Sequence, residues 1–492
     1  MIDSGPFRTQ AVRDFFLLLG RSRWRLLVLP AILMFFAYPN DVRLSTDPII
    51  YSSISRTVAD SGNYGSLRIG EEPYYRKPPL LFWLSALAIK IFGAIPFAVT
   101  LFPRLFGLAA VFVTGWLGRL LYGEKVGWVS GFVLMTTYIF VSPSTTFRLD
   151  SALVFAITLS MVAYLKGEQK WGPPIFYVGI IIGVLTKGPP GILPLVLAPL
   201  HALLSGSTLP MRKRLLRWLV WSPLLLIPLA WWGYLIWKDG FLPVTVLMGD
   251  MVRSKASGLP RFRAIWNVYV LGFLFDYWPW LPFTLVGGWL VYRDAFRVKS
   301  TAGERASAAL LFAWIGITFA GCAIKNAQYF RYVLLAIPAF SILAAAAVVR
   351  FAGNWFFDRV PKAMTPLALT AAVVLACLPI VTREGEEEQY SAIAQILDQR
   401  YPPTTPVPLI ASKTRLGDDP NRYRPDRARS LFFFNRWPRL MSIEEVKTEA
   451  AQKRFTLLVR TPDYERVVAV LPVQPLIIAK SFVLAEIDLN KE

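Results

Sequence analysis

The stretch PPLLFWLSALAIKIFG (residues 78–93) decides how the rest of the chain is threaded. Read as a full membrane span, it inverts every later segment and puts the basic stretch MRKRLLR (211–217) on the outer face. That breaks the rule that Lys and Arg gather in cytoplasmic loops. Read as a helix lying in the outer interface, with Trp83 and Lys90 at headgroup depth, it leaves the basic loops together on one side. The second reading is adopted.

Working outward, the chain of 492 residues is 55% hydrophobic and 14% aromatic, with mean hydropathy +0.45. The apolar excess lies in long runs with few charges, the mark of a polytopic membrane protein. About eleven spans of about 20 residues fit: 24–39, 99–121, 126–143, 150–166, 173–186, 188–205, 217–237, 267–291, 307–324, 329–350 and 363–382. The remainder, 383–492, carries EGEEEQY, DDPNRYRPDRARS and the strand-like runs FTLLVRT and SFVLAEI. It reads as a small soluble α/β domain. The expected fold is an all-α polytopic membrane domain, 1–382, with a first outer loop at 40–98, followed by an extracytoplasmic α/β domain.

The formal net charge of +21 sits at the ends of apolar runs, which suits anionic lipid headgroups rather than nucleic acid. Arg8, Arg13, Arg21, Arg23, MRKRLLR, YRDAFRVK (292–299) and the Arg350–Lys362 loop mark the cytoplasmic side. The loop from Lys238 to Arg263 is basic yet falls outside, as expected of a loop that meets phosphate. A single histidine, His201, excludes His-based triads and HExxH chemistry. Cys322 and Cys377 lie in apolar runs, so no disulfide is expected. No small-residue cleavage pattern follows the first apolar run, so a cleavable signal peptide is not expected.

With this threading the polar residues at membrane ends share one face. Asp47 follows the first span, Lys77 precedes the interfacial helix, Asp150 opens the fourth span, Lys187 closes the fifth, and Lys325 and Tyr332 lie between the ninth and tenth. Charges at this depth are costly and mark function, although Asp47 before Pro48 also fits a helix cap. Ile50, Ile54 and Val58 form the apolar stripe of a surface helix that presents Asp47 at the outer interface. Substrates there arrive on lipids. Lysines suit a donor phosphate and a carboxylate suits a general base.

DPIIYSSISRTVADSGNYG, YYRKPPLLFWLSALAIKIFG, TTFRLDSALVFAITLSMVAYL, VLTKGPPGILPLVL and AIKNAQYFRYVLLAIPAFSILAA, in that order, resemble the GT-C membrane glycosyltransferases. The nearest branches are the lipid A aminoarabinose transferases and the protein O-mannosyltransferases. The resemblance covers about residues 25–350. It implies inverting transfer of a sugar from a polyprenyl-phosphate donor to a lipid, glycan or protein acceptor. It places this at the periplasmic face of a bacterial inner membrane, with the N-terminus cytoplasmic. It matches Asp47 and Asp150 to catalytic carboxylates and Tyr51 to the tyrosine that follows the first. Lys77, Arg253 and Tyr332 match donor-phosphate residues, joined by Lys187 and Lys325. Tyr75 and Arg76, beside Lys77, are further candidates. Pro48 stands where the family has a second carboxylate, which argues against a metal-bridged site, since hard cations favour several carboxylate oxygens; no cofactor is assigned and a divalent metal is left open. The competing readings are a lipid or ion transporter built around Asp276, and a polyprenyl-linked glycan ligase or polymerase.

Overall fold

The computed structural model describes residues 22–36, 46–205, 218–253, 266–297, 299–325, 330–377, 381–402, 405–410, 424–452, 455–479 and 481–487. The basic stretch 211–217, most of the N-terminal arginines and much of the Lys238–Arg263 loop lie outside the described residues.

The chain is built mainly of helices. Among the described residues the α-helices of seven residues or more are, in order, α1 Ser22–Phe36, α2 Thr46–Ser61, α3 Leu80–Phe92, α4 Pro96–Tyr122, α5 Glu124–Met135, α6 Tyr138–Ser144, α7 Asp150–Leu165, α8 Gly172–Lys187, α9 Leu193–Leu204, α10 Leu226–Asp239, α11 Leu242–Arg253, α12 Trp280–Ala295, α13 Ala302–Lys325, α14 Ile337–Cys377, α15 Val381–Arg400, α16 Arg424–Phe434 and α17 Ile443–Ala450. Among the described residues three stretches are long and apolar enough to cross a membrane: Pro96–Tyr122, Ala302–Ala323 and Phe330–Gly353. A fourth follows if α5 and α6, bent by 61°, form one broken span. Several other apolar helices, α7 and α8 among them, have only 10–17 residues. The stretch read as span 126–143 is thus two helices, because Thr136 and Thr137 turn their hydroxyls back onto the carbonyls of Phe132 and Val133 and the chain bends between them. The Arg350–Lys362 stretch, expected as a loop, is helical and broken only at Gly353 (φ 55°, ψ −154°).

α3 has 13 residues, too few for the roughly 20 a span requires. It buries Leu81, Phe82, Ala86 and Ile89 while Leu87, Ile91 and Phe92 stay exposed. Between α2 and α3 a two-residue hairpin pairs Arg68–Ile69 (β1) with Glu72–Pro73 (β2).

The C-terminal part forms a five-stranded mixed sheet of β3 Pro408–Ile410, β4 Arg439–Met441, β5 Phe455–Arg460, β6 Val473–Ile478 and β7 Phe482–Ile487, in the order β4-β3-β5-β7-β6. β3 runs parallel to β4 and β5, and β7 runs antiparallel to β5 and β6. The runs FTLLVR and FVLAEI are buried nearly throughout rather than on alternate positions. Leu457, Val459, Val483 and Ala485 pack with Val446 of α17 on one face; Leu458, Phe482 and Leu484 pack with Ile393 and Leu397 of α15 on the other. A sheet covered on both faces shows continuous apolar runs. Arg436, 1% exposed, ties this layer to the end of α15 by donating to the carbonyls of Pro402 (2.7 Å) and Tyr401 (3.1 Å) and to Asp398 (2.8 Å).

α2 joins the two parts. Ile49, Ile54 and Val58 face the core. Its polar face is covered: Ser53 donates to the Ala428 carbonyl and Arg56 to the Phe432 carbonyl, both on α16. Arg427 of α16 completes the clamp, 2.7 Å from Glu72 and stacked 3.9 Å from the ring centre of Trp437.

Helix packing in the apolar region leans on close backbone approach. A Cβ added at Gly287 of α12 would stand 1.8 Å from the carbonyl oxygen of Leu343 on α14. Gly287→Ala is therefore expected to separate these helices and cost about 1–3 kcal/mol, as overpacking does. Thermal unfolding in detergent measures it; an unchanged midpoint would show that the contact is not tight.

Candidate functional site

Four segments bring charge to one place. α2 carries Asp47 in its first turn. α7 opens with Asp150, 6% exposed. α8 ends on Lys187, where Gly188 (φ 79°, ψ −132°) reverses the chain. A short 3₁₀ helix at Phe330–Ala336 carries Arg331 and Tyr332. Position 188 requires glycine because its φ is one that side chains disfavour.

The buried carboxylate of Asp150 accepts a hydrogen bond from Lys187 Nζ at 2.5 Å. The same ammonium lies 5.7 Å from the ring centre of Tyr332, within cation–π range. Two residues before Asp150, Arg148 approaches Asp47 Oδ2 at 3.7 Å, and Arg331 approaches the same oxygen at 3.8 Å. Both separations exceed a hydrogen bond, so the guanidiniums flank Asp47 without locking onto it. The Asp47 side chain is 41% exposed, against 7% for Asp150. One carboxylate is open to a substrate and the other is closed into the protein.

Tyr51 stands one helical turn beyond Asp47. It is buried between Phe82 and Phe147, at ring separations of 5.4 and 5.8 Å. Burial pushes its phenol well above the ordinary tyrosine value, and Tyr74, Asp47 and Asp150 push it further. Tyr51 therefore remains a neutral hydroxyl beside the charges. The turn that bears Arg148 is held from behind by Arg104, which is 1% exposed. Its guanidinium donates to the carbonyls of Phe35 (2.8 Å) and Thr145 (3.2 Å). Ser151 donates to the Pro103 carbonyl at 2.8 Å and fixes the start of α7 against α4.

The structure thus gathers Asp47, Asp150, Lys187, Tyr332 and Tyr51. Lys77 lies on the turn before α3. A Cβ at Gly188 would come 3.8 Å from Pro78 Cγ, so the Lys77–Pro78 turn abuts the Lys187–Gly188 turn. Tyr75 is directed elsewhere: it packs with Trp231 and Leu235 of α10, and burial together with a hydrogen bond to Asp239 raises its phenol. Arg76 follows it, half-buried. Arg253 ends α11 and Lys325 ends α13, but their side chains lie outside the described residues. Arg148 and Arg331 are additions the sequence reading did not single out, although both stood in the quoted stretches, beside Asp150 and Tyr332. Among the described residues no group of three or more His, Cys, Asp or Glu is placed to hold a metal ion. His201 is structural: its two ring nitrogens meet the Tyr164 hydroxyl and the Ala306 carbonyl, each at 3.0 Å.

The signature described as dolichyl-phosphate-mannose-protein mannosyltransferase matches residues 76–234, which hold Lys77, Arg148, Asp150 and Lys187. The undecaprenyl phosphate-alpha-4-amino-4-deoxy-L-arabinose arabinosyl transferase 1 of Proteus mirabilis is 26% identical over 360 residues, 66% of this chain and 59% of that protein. The corresponding transferase of Aeromonas salmonicida is 22% identical over 399 residues, 74% and 68% of the two chains. Among solved structures, ArnT from Cupriavidus metallidurans bound to undecaprenyl phosphate superposes with a TM-score of 0.69 at 15% identity, covering 97% of this chain and 98% of that one. The archaeal oligosaccharyltransferase AglB from Archaeoglobus fulgidus, in complex with an inhibitory peptide and a dolichol-phosphate, gives 0.52 at 15% identity, covering 92% and 71%. The chain therefore has the GT-C fold of the multi-pass membrane glycosyltransferases. In sequence it is similar to the aminoarabinose transferases and, over residues 76–234, to the O-mannosyltransferases.

The Lys187–Asp150 pair makes a separable prediction. Lys187→Met leaves a buried, uncompensated carboxylate and should destabilise the fold by about 3–5 kcal/mol, whereas Lys187→Met with Asp150→Asn should recover most of that loss. Detergent unfolding midpoints of the two variants measure it. A double variant as unstable as the single one would show that Asp150 draws its stability from other partners.

Proposed function

We propose that this chain is a membrane glycosyltransferase that moves a sugar from a polyprenyl-phosphate donor to a lipid, glycan or protein acceptor, with inversion. The observation that carries the reading is the flanking of the accessible Asp47 carboxylate by Arg148 and Arg331, beside the closed Lys187–Asp150 pair. Three cations face two carboxylates, so the site has positive charge in excess before Lys77 is added. That suits a phosphodiester, and suits the more highly charged phosphate monoester released from it better still. Relatives named for undecaprenyl phosphate and dolichyl phosphate support the same donor class.

In the proposed reaction the acceptor oxygen attacks the anomeric carbon opposite the phosphate. The bond from that carbon to the phosphate oxygen breaks, and polyprenyl phosphate leaves with the electron pair. A hydroxyl acceptor gives its proton to Asp47; a phosphate acceptor gives none and is oriented by it. Arg148, Arg331 and Lys77 hold the phosphate and gain most as its charge develops, which lowers the barrier. Lys187 pairs with Asp150 and packs against Tyr332, while neutral Tyr51 donates a hydrogen bond to donor or acceptor. Arg253 and Lys325 complete the phosphate-binding set from the long outer loop and the end of α13.

The basic loops support a cytoplasmic N-terminus and about eleven spans in a bacterial inner membrane. They also support a periplasmic site, covered by residues 383–492 as a periplasmic domain.

Binding of undecaprenyl phosphate to the purified chain tests the phosphate assignment. Arg331→Ala, Arg148→Ala and Lys77→Ala are each expected to weaken it roughly 10- to 150-fold, the value of one charge-assisted contact at about 1.5–3 kcal/mol. Wild-type affinity in all three would remove the phosphate from this site.

A further inference from the structure

One stretch of α4, VTLFPRLFG (residues 99–107), is where α1, α3, α6 and α7 meet. Pro103 lies inside α4 and has no N–H, so the Val99 carbonyl loses its helical donor. The Ser85 hydroxyl of α3 takes that place, donating to Val99 O at 3.2 Å. The Pro103 carbonyl accepts from Ser151 of α7. A Cβ at Gly107 would stand 2.6 Å from the Phe35 ring of α1 and 2.9 Å from Ser144 Cβ of α6, so both side chains rest directly on the α4 backbone there.

Arg104 occupies the centre of this junction. Its Nε donates to Thr100 Oγ at 3.2 Å within α4. Its two Nη atoms diverge, one to the Phe35 carbonyl in the last turn of α1 and the other to the Thr145 carbonyl just past α6. A guanidinium buried to this extent is costly, and an aliphatic side chain would fill the space without that cost. What Arg supplies is a planar fork that reaches separate acceptors at once, which the single nitrogen of Lys does not. The Thr145 carbonyl belongs to the turn that leads to Arg148, and the Arg148 N–H closes that turn on the Thr146 carbonyl at 2.8 Å. The far end of the turn is pinned by Ser151 and by the Lys187–Asp150 pair. Arg148 itself stops 3.7 Å from Asp47 Oδ2, beyond hydrogen-bond range. Its place is therefore set by the turn that carries it and not by a bond to Asp47.

We infer that Arg104 is a positioning residue of the phosphate site. By tying the Thr145 carbonyl to α1 and α4 it fixes where Arg148 stands beside Asp47, and so how tightly the site takes up a lipid-borne phosphate. The inference rests on the assignment of Arg148 to the donor phosphate. Arg104, 1% exposed, acts through Arg148 and not by touching the substrate.

The test compares undecaprenyl phosphate binding by the purified full chain as wild type, Arg104→Lys, Arg148→Ala and the double variant. Arg104→Lys keeps the charge and loses the fork, and is expected to weaken binding about tenfold. In the Arg148→Ala background the same change is expected to alter affinity by less than about twofold, because the group it positions is gone. A purely structural loss would instead add to that of Arg148→Ala. Thr100→Val removes the acceptor of Nε at nearly constant shape and gives the same comparison should Arg104→Lys fail to fold. It is expected to weaken binding about threefold, the value of one modest hydrogen bond, and again only when Arg148 is present. Wild-type affinity in Arg104→Lys and Thr100→Val, or losses that add to that of Arg148→Ala, would overturn this inference and leave the phosphate assignment standing. No binding by the wild type, or wild-type affinity in Arg148→Ala, would overturn the assignment of Arg148 and this inference with it.

Discussion

The ion pair between Lys187 and Asp150 is the constraint on which the site depends. A carboxylate at this depth is tolerable only with a partner, because an unpaired buried charge costs several kcal/mol. The requirement brings the end of α8 to the start of α7. Once those ends meet, Arg148 is carried two residues ahead of Asp150 toward Asp47, and the Lys187 ammonium is left over the face of Tyr332. Tyr332 brings Arg331 with it. One buried pair thus organises four segments distant in sequence, and the division between a closed carboxylate and an open one follows from it.

Asp47 is held from the other side by a different set of forces. Its helix is gripped along its polar face by α16, through Ser53 and Arg56, and along its apolar face by the cluster of Ile49, Ile54 and Val58. Glu72 and Trp437 close the same interface through Arg427. The C-terminal α/β part is therefore more than a cover over the membrane helices. It supplies the backbone carbonyls that fix the helix bearing the open carboxylate, and so couples the position of Asp47 to the folding of a sheet hundreds of residues later in the chain.

Much of this was legible in the sequence, for physical reasons that also explain what was not. Asp47, Asp150 and Lys187 stand out because a charge beside an apolar run is expensive, and the expense is visible without a structure. Arg148 and Arg331 carry the same cost but were hidden by their neighbours, since each stands within two residues of a residue already singled out. Which of two adjacent side chains turns toward a distant partner depends on packing, not on spacing. The span 126–143 was read whole because hydropathy averages over the Thr136–Thr137 bend. The strands FTLLVR and FVLAEI were recognised as strands, yet burial on both faces depends on helices α15 and α17 packing from either side. The covering of α2 by α16 had no local signature at all.

The central claim is that Asp47 acts chemically and is not merely part of a helix start. Asn matches Asp in accepting hydrogen bonds at a helix N-terminus but cannot take up a proton or carry charge. The decisive measurement is the sugar-transfer rate of the Asp47→Asn variant beside its unfolding midpoint. The account predicts a midpoint close to that of the wild type and a rate lower by about 100-fold or more. Transfer at the wild-type rate would contradict it and leave Asp47 a helix-terminal residue alone.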